Sequence, residues 1–170
     1  PSRHCLTPLA PTYAPIAMTS VPNPSPQRAT NESVACRSDP TPAAIDTVRA
    51  QAWPLVRDAE ELHDTLLTVG AIAESEAAEW QDFFDELAEQ GRAARREVVD
   101  GPALWIAVEQ WPLAAAALPL KDATPPASLP ESLRREVTLD DARQQLVRGR
   151  LEISGPTTAP RIAQQIGMPL

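Results

Sequence analysis

Apolar residues recur at helical spacing in the middle of the chain. Ile45, Val48 and Ala52 share one face of a helix that begins near residue 43, and Trp53-Pro54 interrupts that pattern. A second apolar stripe predicts a helix over residues 58–69, with Asp58 as its N-cap, Glu61 completing the capping pattern and Gly70 as its end. The stripe consists of Ala59, Leu62, Leu66 and Val69.

A third helix is predicted from Ser75, as its N-cap, to Gly91, and a change of period follows it. Residues 95–99 and 103–108 are two β-capable runs joined by Asp100-Gly101, a dipeptide favoured in tight hairpin turns. Three helices followed by a hairpin is the element order of a winged helix, in which the hairpin is the wing. We therefore expect a winged-helix-like unit over residues 43–111, within a mainly α fold that has one small β-hairpin.

Residues 112–138 are rich in proline around an alanine-rich stretch, which is typical of a connector between two units. Residues 139–153 then predict a helix, and residues 158–166 predict a second, with Thr157 or Thr158 as its cap and Gly167 as its end. We interpret residues 139–170 as the first half of a second helix-turn-helix or winged-helix unit. Without its next helix, this segment is expected to be poorly ordered or to pack against another surface.

Residues 1–42 contain repeated Pro, Ser, Thr and Asn and no apolar periodicity, so we expect them to be disordered. Both cysteines, Cys5 and Cys36, lie there without the spacing of a metal site, and His4-Cys5 is interpreted as accidental. No apolar run approaches the length of a membrane span. Because the chain begins at Pro1 without an initiator methionine or a signal segment, we expect it to be a fragment.

The formal net charge is −8, and the presumed recognition helix of the first unit carries mostly acids, which would repel phosphates. Candidate nucleic-acid contacts are therefore Arg92, Arg95 and Arg96 at the start of the wing. Arg148, Arg150 and Arg161 give the second unit a more basic character and are weaker candidates. For the wing arginines we prefer a solvated or domain-packing surface, because three arginines rarely support more than weak, salt-sensitive binding.

No catalytic or metal-binding residue can be named from the sequence. His63 is interpreted as a helix-surface histidine, and Glu109 with Gln110 is rejected as a catalytic pair because no partner residue can be named. The tryptophans are interpreted as packing residues, with Trp105 the clearest candidate for the core.

Three runs in this chain resemble, in the same order, segments of the bacterial Lhr (large helicase-related) proteins, which are superfamily 2 ATPases. They are AIDTVRAQAWPLVRDAEELHDTLLTVGA, GRAARREVVDGPALWIAVEQWPL and LVRGRLEISGPTTAPRIAQQIGMP. The resemblance covers most of residues 44–169 and corresponds to the region C-terminal to the helicase core. It implies a cytoplasmic, ATP-dependent 3′-to-5′ DNA helicase in DNA repair, with tandem winged helices beyond the motor.

The chain has no phosphate-binding loop, so ATP and Mg²⁺ are expected only in the core of the parent protein. We therefore expect a noncatalytic fragment, inactive alone, whose partners are the rest of the helicase and DNA through the wing, with no membrane contact. The alternative is a purely structural interdomain module with no direct nucleic-acid contact. An independent winged-helix regulator fits poorly because the second unit is incomplete and the chain is acidic.

Overall fold

The computed structural model describes residues 40–169, which form a mainly helical fold with one small antiparallel sheet, and this confirms the coarse fold class. The α-helices of this part are α1 (Pro42–Ala52), α2 (Ala59–Val69), α3 (Gln81–Glu89), α4 (Trp111–Ala117), α5 (Leu139–Ser154) and α6 (Ala159–Ile166). The strands are β1 (Ile72–Ala73), β2 (Ala93–Glu97) and β3 (Ala103–Ala107), with 3-10 turns at Ala78–Trp80, Val108–Gln110 and Glu131–Leu133. Disorder is expected for residues 1–42, and residues 1–39 of this segment lie outside the described part.

The helix predicted over residues 58–69 is confirmed together with its caps. The Asp58 carboxylate accepts a hydrogen bond from the Glu61 backbone N–H at 2.8 Å, which satisfies an otherwise free donor of the first turn. Gly70 ends α2 with a φ of 85°, in the left-handed region where a side chain is strained. This short, well-capped helix therefore forms where its local signals place it.

The third predicted helix is partly wrong, because it begins later than Ser75 and a strand precedes it. Residues 72–73 form β1, a turn follows in which the Glu76 N–H donates to the Ala73 carbonyl at 2.9 Å, and α3 begins only at Gln81. β1 is not predictable from the sequence pattern, because two apolar residues after a glycine carry no periodicity.

The predicted hairpin is confirmed, although it belongs to a three-stranded sheet in the order β1-β3-β2. Arg95 pairs with Trp105 across β2 and β3, and Ile72 of β1 pairs with the same residue from the other side. Asp100 has a φ of 54° at the tip, a conformation that aspartate tolerates better than most residues. β3 is therefore the central strand.

Two apolar clusters lie against the side chains that alternate along β3. Trp105 packs with α2 and α3, where it stacks on Phe84 with ring centroids 4.4 Å apart. Leu104 and Ile106 pack with α4, α5 and α6. Because both faces of β3 are covered, its residues 104–107 are all buried. The interpretation of Trp105 as a core residue is confirmed.

The segment interpreted as a connector is partly helical and packed. Its first part is α4, which packs against α5 and buries Leu113, Ala114 and Ala117. Leu129, further along, is buried against Trp111. Residues 40–169 belong to one compact unit, so the structure does not divide this part of the chain at residues 112–138.

Helix α6 is ordered because it packs against another surface, the second of the two outcomes expected for it. Ile162 and Ile166 are buried with Val98 and Leu104 of the hairpin. Gly167, with a φ of 67°, ends α6 as predicted. The hairpin and the helices of residues 139–166 thus share one core.

Candidate nucleic-acid interface

Three arginines lie on or just before β2, and we call them the β2 arginines: Arg92, Arg95 and Arg96. They are the candidate nucleic-acid contacts predicted for the wing. Arg95 is exposed, whereas Arg92 and Arg96 are half-buried. Each guanidinium already has partners within the fold. Their availability to a phosphate therefore depends on what those partners are.

Arg92 forms a forked ion pair with Glu60 of α2. Its Nη2 donates to Glu60 Oε2 at 2.9 Å, and its Nη1 donates to Glu60 Oε1. The hydrogen bonds from Arg92 lower the pKa of the Glu60 carboxyl, and the same pairing raises the pKa of the guanidinium. Two-point pairing of this kind fixes the orientation of the guanidinium and uses its donors.

Arg92 also contacts His63, which the structure places in the interior. His63 is only 6% exposed, with Nδ1 3.0 Å from Arg92 Nη2 and Nε2 3.3 Å from Glu109 Oε2. Since arginine only donates, these contacts assign a neutral ring that accepts at Nδ1 and donates from Nε2 to Glu109. The interpretation of His63 as a surface residue is wrong, and Glu109 has a partner that sequence reasoning did not find.

This arrangement leaves His63 no ring nitrogen for acid-base chemistry, because Arg92 and Glu109 occupy both. Glu109 is exposed, and its neighbour Gln110 donates from Nε2 to the Leu67 carbonyl at 2.6 Å, at the end of α2. We interpret the Glu60–Arg92–His63–Glu109 network as a clamp between α2 and the sheet.

Arg95 is paired on two sides. Its Nε lies 3.1 Å from both carboxylate oxygens of Glu74, and its Nη1 lies 3.2 Å from Glu97 Oε1. Lys121 Nζ contacts the other oxygen of Glu97 at 2.9 Å. Hydrogen bonds from Lys121 and Arg95 lower the pKa of Glu97. This exposed surface therefore carries alternating charges rather than a basic patch.

Arg96 is the β2 arginine without a carboxylate partner in the described part of the chain. Its guanidinium carbon lies 5.0 Å from the centre of the Trp111 ring, within cation–π range. It also donates to the backbone carbonyls of Arg95 at 2.8 Å and Thr124 at 3.4 Å. Its positive charge is thus the least compensated of the three.

The three arginines of the second half occupy different environments. Arg148 and Arg161 are exposed, on α5 and α6. Arg150 is only 1% exposed and pairs with Glu76 at 2.7 Å, so its proposal as a surface contact is wrong in this fold. Helical periodicity did not reveal this because Glu76 lies 74 residues earlier in the chain.

Helix α3 presents acids at its surface. Asp82, Asp85, Glu86 and Glu89 are all exposed, and the helix itself contains no basic residue. Phosphates approaching this helix would meet repulsion at every turn. Any attraction for nucleic acid must come from elsewhere on the molecule.

No protein-family model matches this chain, and a search of curated proteins gives no significant match. Within residues 40–169, the helices are all too short or too polar to cross a bilayer.

Proposed function

We propose that this chain is a noncatalytic segment of an Lhr-like, ATP-dependent DNA helicase that acts in DNA repair. In this proposal the unit from α2 to β3 is a winged helix that packs beside the DNA path. The motor, with its ATP and Mg²⁺, belongs to the rest of a cytoplasmic parent protein. The resemblance of the three sequence runs supplies the family.

The arrangement of the sheet is the single observation that supports the winged-helix assignment best. A helix, a short strand, a second helical segment and a hairpin follow one another, and the short strand joins β3 opposite β2. In a winged helix the first strand joins the hairpin in this way, and the hairpin lies beside the recognition helix. α1, the first of the three helices expected in this unit, packs against α5, so the unit from α2 to β3 contains two α-helices.

The ion pairs of the β2 arginines favour packing over DNA binding within this role. The guanidinium N–H groups of Arg92 and Arg95 already donate to the carboxylates of Glu60, Glu74 and Glu97. A phosphate would have to displace these carboxylates before it could pair with either arginine. We therefore propose weak contact with DNA in the range of nonspecific binding, about 10⁻⁴ to 10⁻⁶ M.

The alternative, a structural module without DNA contact, is favoured by the acidic surface of α3. Fluorescence anisotropy with forked DNA at low salt separates the two. The proposal predicts weak binding that is lost in R92A/R95A/R96A and retained in R57A/R134A/R135A, which removes three exposed arginines elsewhere. Absence of binding by the unmodified chain would favour the structural module.

A second pair of variants tests whether carboxylates restrain the β2 arginines. E74Q/E97Q removes both carboxylate partners of Arg95, and that of Lys121, without removing a basic residue. E136Q/E152Q makes the same change in net charge at two exposed glutamates that form no ion pair within residues 40–169. We expect about tenfold tighter binding for the first pair relative to the second, since the released Arg95 and Lys121 can pair with phosphate. Equal affinities would contradict the claim that these carboxylates limit DNA contact.

A further inference from the structure

A groove with apolar walls lies between α5 and α6. Its volume is about 320 Å³. Val147 and Leu151 line it from α5, Ile162 and Met168 line it from α6 and the residues after α6, and its only polar lining residues are two threonines. None of the β2 arginines lines it, so an inference from this groove is independent of the proposed function. We call it the α5–α6 groove.

Leu151 stands at the rim of this groove and is 50% exposed. Val147 precedes it by about one helical turn, so the two side chains lie on the same side of α5. Each Å² of apolar surface that is removed from water contributes about 25 cal/mol. A partner that covers Leu151 and fills the groove therefore gains free energy, provided that its own contact surface is apolar at the same place.

Two charges of opposite sign accompany this apolar pair. Arg148 follows Val147 and Glu152 follows Leu151, so the charged residues are also about one turn apart, on the adjoining flank of α5. Both are exposed, and neither forms an ion pair within residues 40–169. A basic residue before an acidic one at this spacing is the less favourable order for pairing within a helix. This flank therefore offers one positive and one negative charge to a partner.

The pattern is complementary to itself when two copies of α5 pack in antiparallel directions. A twofold axis perpendicular to both helices, at the level of Arg150, keeps the charged flank of one copy beside the same flank of the other. Arg148 of one copy is then level with Glu152 of the second copy, and the contact occurs twice. With a rise of about 1.5 Å per residue, the two copies of Leu151 lie about 3 Å apart along the helix axes and meet at the centre.

We propose that a second copy of this chain occupies the α5–α6 groove, in an isologous homodimer with antiparallel α5 helices. Leu151 of each copy enters the groove of the other, while Arg148 pairs with Glu152 across the twofold axis. One helix and one groove per copy bury less than the roughly 800 Å² per partner that is typical of stable complexes. We therefore expect a weak dimer, with a dissociation constant of about 10 to 100 µM.

Sedimentation velocity of the full chain over about 1 to 500 µM, a range that brackets this constant, measures the association. We expect the unmodified chain to pass from monomer to dimer. R148E and E152R each place like charges opposite one another twice, so each should weaken the association about tenfold or more. A chain that stays monomeric over the whole range, or an association that R148E leaves unchanged, would overturn the proposal.

Mixing the two variants separates a contact between copies from a defect in folding. R148E presents two carboxylates on the flank of α5, and E152R presents two guanidinium groups. An equimolar mixture should therefore form a mixed dimer at least as tight as the unmodified one, although each variant alone is mostly monomeric. Mixing cannot repair a misfolded chain. A mixture that associates no better than the separate variants would contradict the antiparallel pairing.

Two matched controls test whether the association is specific. L151A removes the central apolar contact and should weaken the dimer about tenfold, whereas L55A truncates a leucine that is 81% exposed in the linker between α1 and α2. R135E makes the same change in net charge as R148E, at an exposed arginine before α5. We expect L55A and R135E to dimerise like the unmodified chain. Equal losses in these controls would show nonspecific association and would overturn the interface.

Discussion

Gly149 lies where α5 crosses the end of α2, and its lack of a side chain permits the short distance between the two helices. A Cβ at this position would lie 2.5 Å from the Thr68 carbonyl oxygen and 2.8 Å from that of Val69. Backbone oxygens of a packed helix cannot move aside as a flexible side chain can. The glycine that weakens α5 as a helix is thus what permits its packing.

Replacing Gly149 with alanine therefore separates local propensity from packing. Helix propensity alone favours G149A by about 1 kcal/mol, whereas the clash with α2 is expected to reduce the free energy of unfolding by about 1 to 3 kcal/mol overall. Urea denaturation measures the difference. Q144A, at an exposed position of α5, is the control and should change stability by less than about 0.5 kcal/mol. A more stable G149A protein would contradict the close crossing.

The carboxylates that pair with the β2 arginines predict how stability depends on acid. Contacts with Lys121 and Arg95 lower the pKa of Glu97 in the folded chain. The stabilisation that Glu97 contributes to the folded chain is therefore complete above its pKa in the unfolded chain, about 4.3 for glutamate. It is lost as pH falls through the lower pKa of the folded chain. Urea midpoints between pH 7 and pH 3 should fall less steeply in E97Q than in the unmodified chain. E136Q, which removes an exposed glutamate elsewhere, is the control, and its urea midpoint should depend on pH as in the unmodified chain. If the urea midpoint of E97Q also fell with pH as steeply as that of the unmodified chain, the result would contradict the pairing of Glu97.

Helices α5 and α6 both have threonine at the N-cap, but only one of the two side chains makes a capping hydrogen bond. Thr138 Oγ1 accepts from the Asp141 N–H at 3.2 Å and donates to the Asp141 carboxylate at 2.7 Å. Thr158 occupies the corresponding position of α6 and makes no side-chain capping bond. The sequence pattern predicts Thr157 or Thr158 as the cap of α6, and Thr138 was not among the predicted caps.

This difference predicts unequal effects of one substitution at two helix starts. T138A should lower the free energy of unfolding by about 1 kcal/mol, the usual cost of a lost N-cap. T158A should have little effect because there is no capping bond to lose. Thermal or urea denaturation of both variants provides the measurement, and equal losses would show that the caps do not differ.

Local signals predicted most elements, because capping residues, glycine stops and helical spacing act within a few positions of one another. Asp58, Gly70 and Gly167 mark helix ends that the structure confirms. The partners of His63 and Arg150 could not be predicted in this way. Glu109 and Glu76 lie 46 and 74 residues away along the chain, and only the packing of α2 and α5 against the sheet joins them.

The whole molecule, as far as residues 40–169 describe it, depends on a shared core rather than on two separate units. Leu146 of α5 is buried with Ala73 of β1 and Leu104 of β3, so the later helices complete the packing of the earlier strands. Loss of this contact should therefore destabilise both parts together.

A single cooperative transition is the expected result. L146A should reduce the free energy of unfolding by about 2 to 5 kcal/mol. The tryptophan fluorescence, which reports on residues 53–111, and the helical circular dichroism should shift to the same new midpoint in urea. Fluorescence that kept its original midpoint while helicity was lost would support two independent units.

The salt dependence of DNA binding by the unmodified chain tests the functional account most directly. Each phosphate neutralised in duplex DNA contributes a slope of about −0.9 to the logarithm of affinity against the logarithm of salt concentration. Because Arg92 and Arg95 are paired within the fold, we predict weak binding to forked DNA with a slope corresponding to about one or two phosphates. Tight binding with a slope of about −3 or steeper, reduced by R92A/R95A, would contradict the account, since those arginines would then contact DNA despite their carboxylate partners.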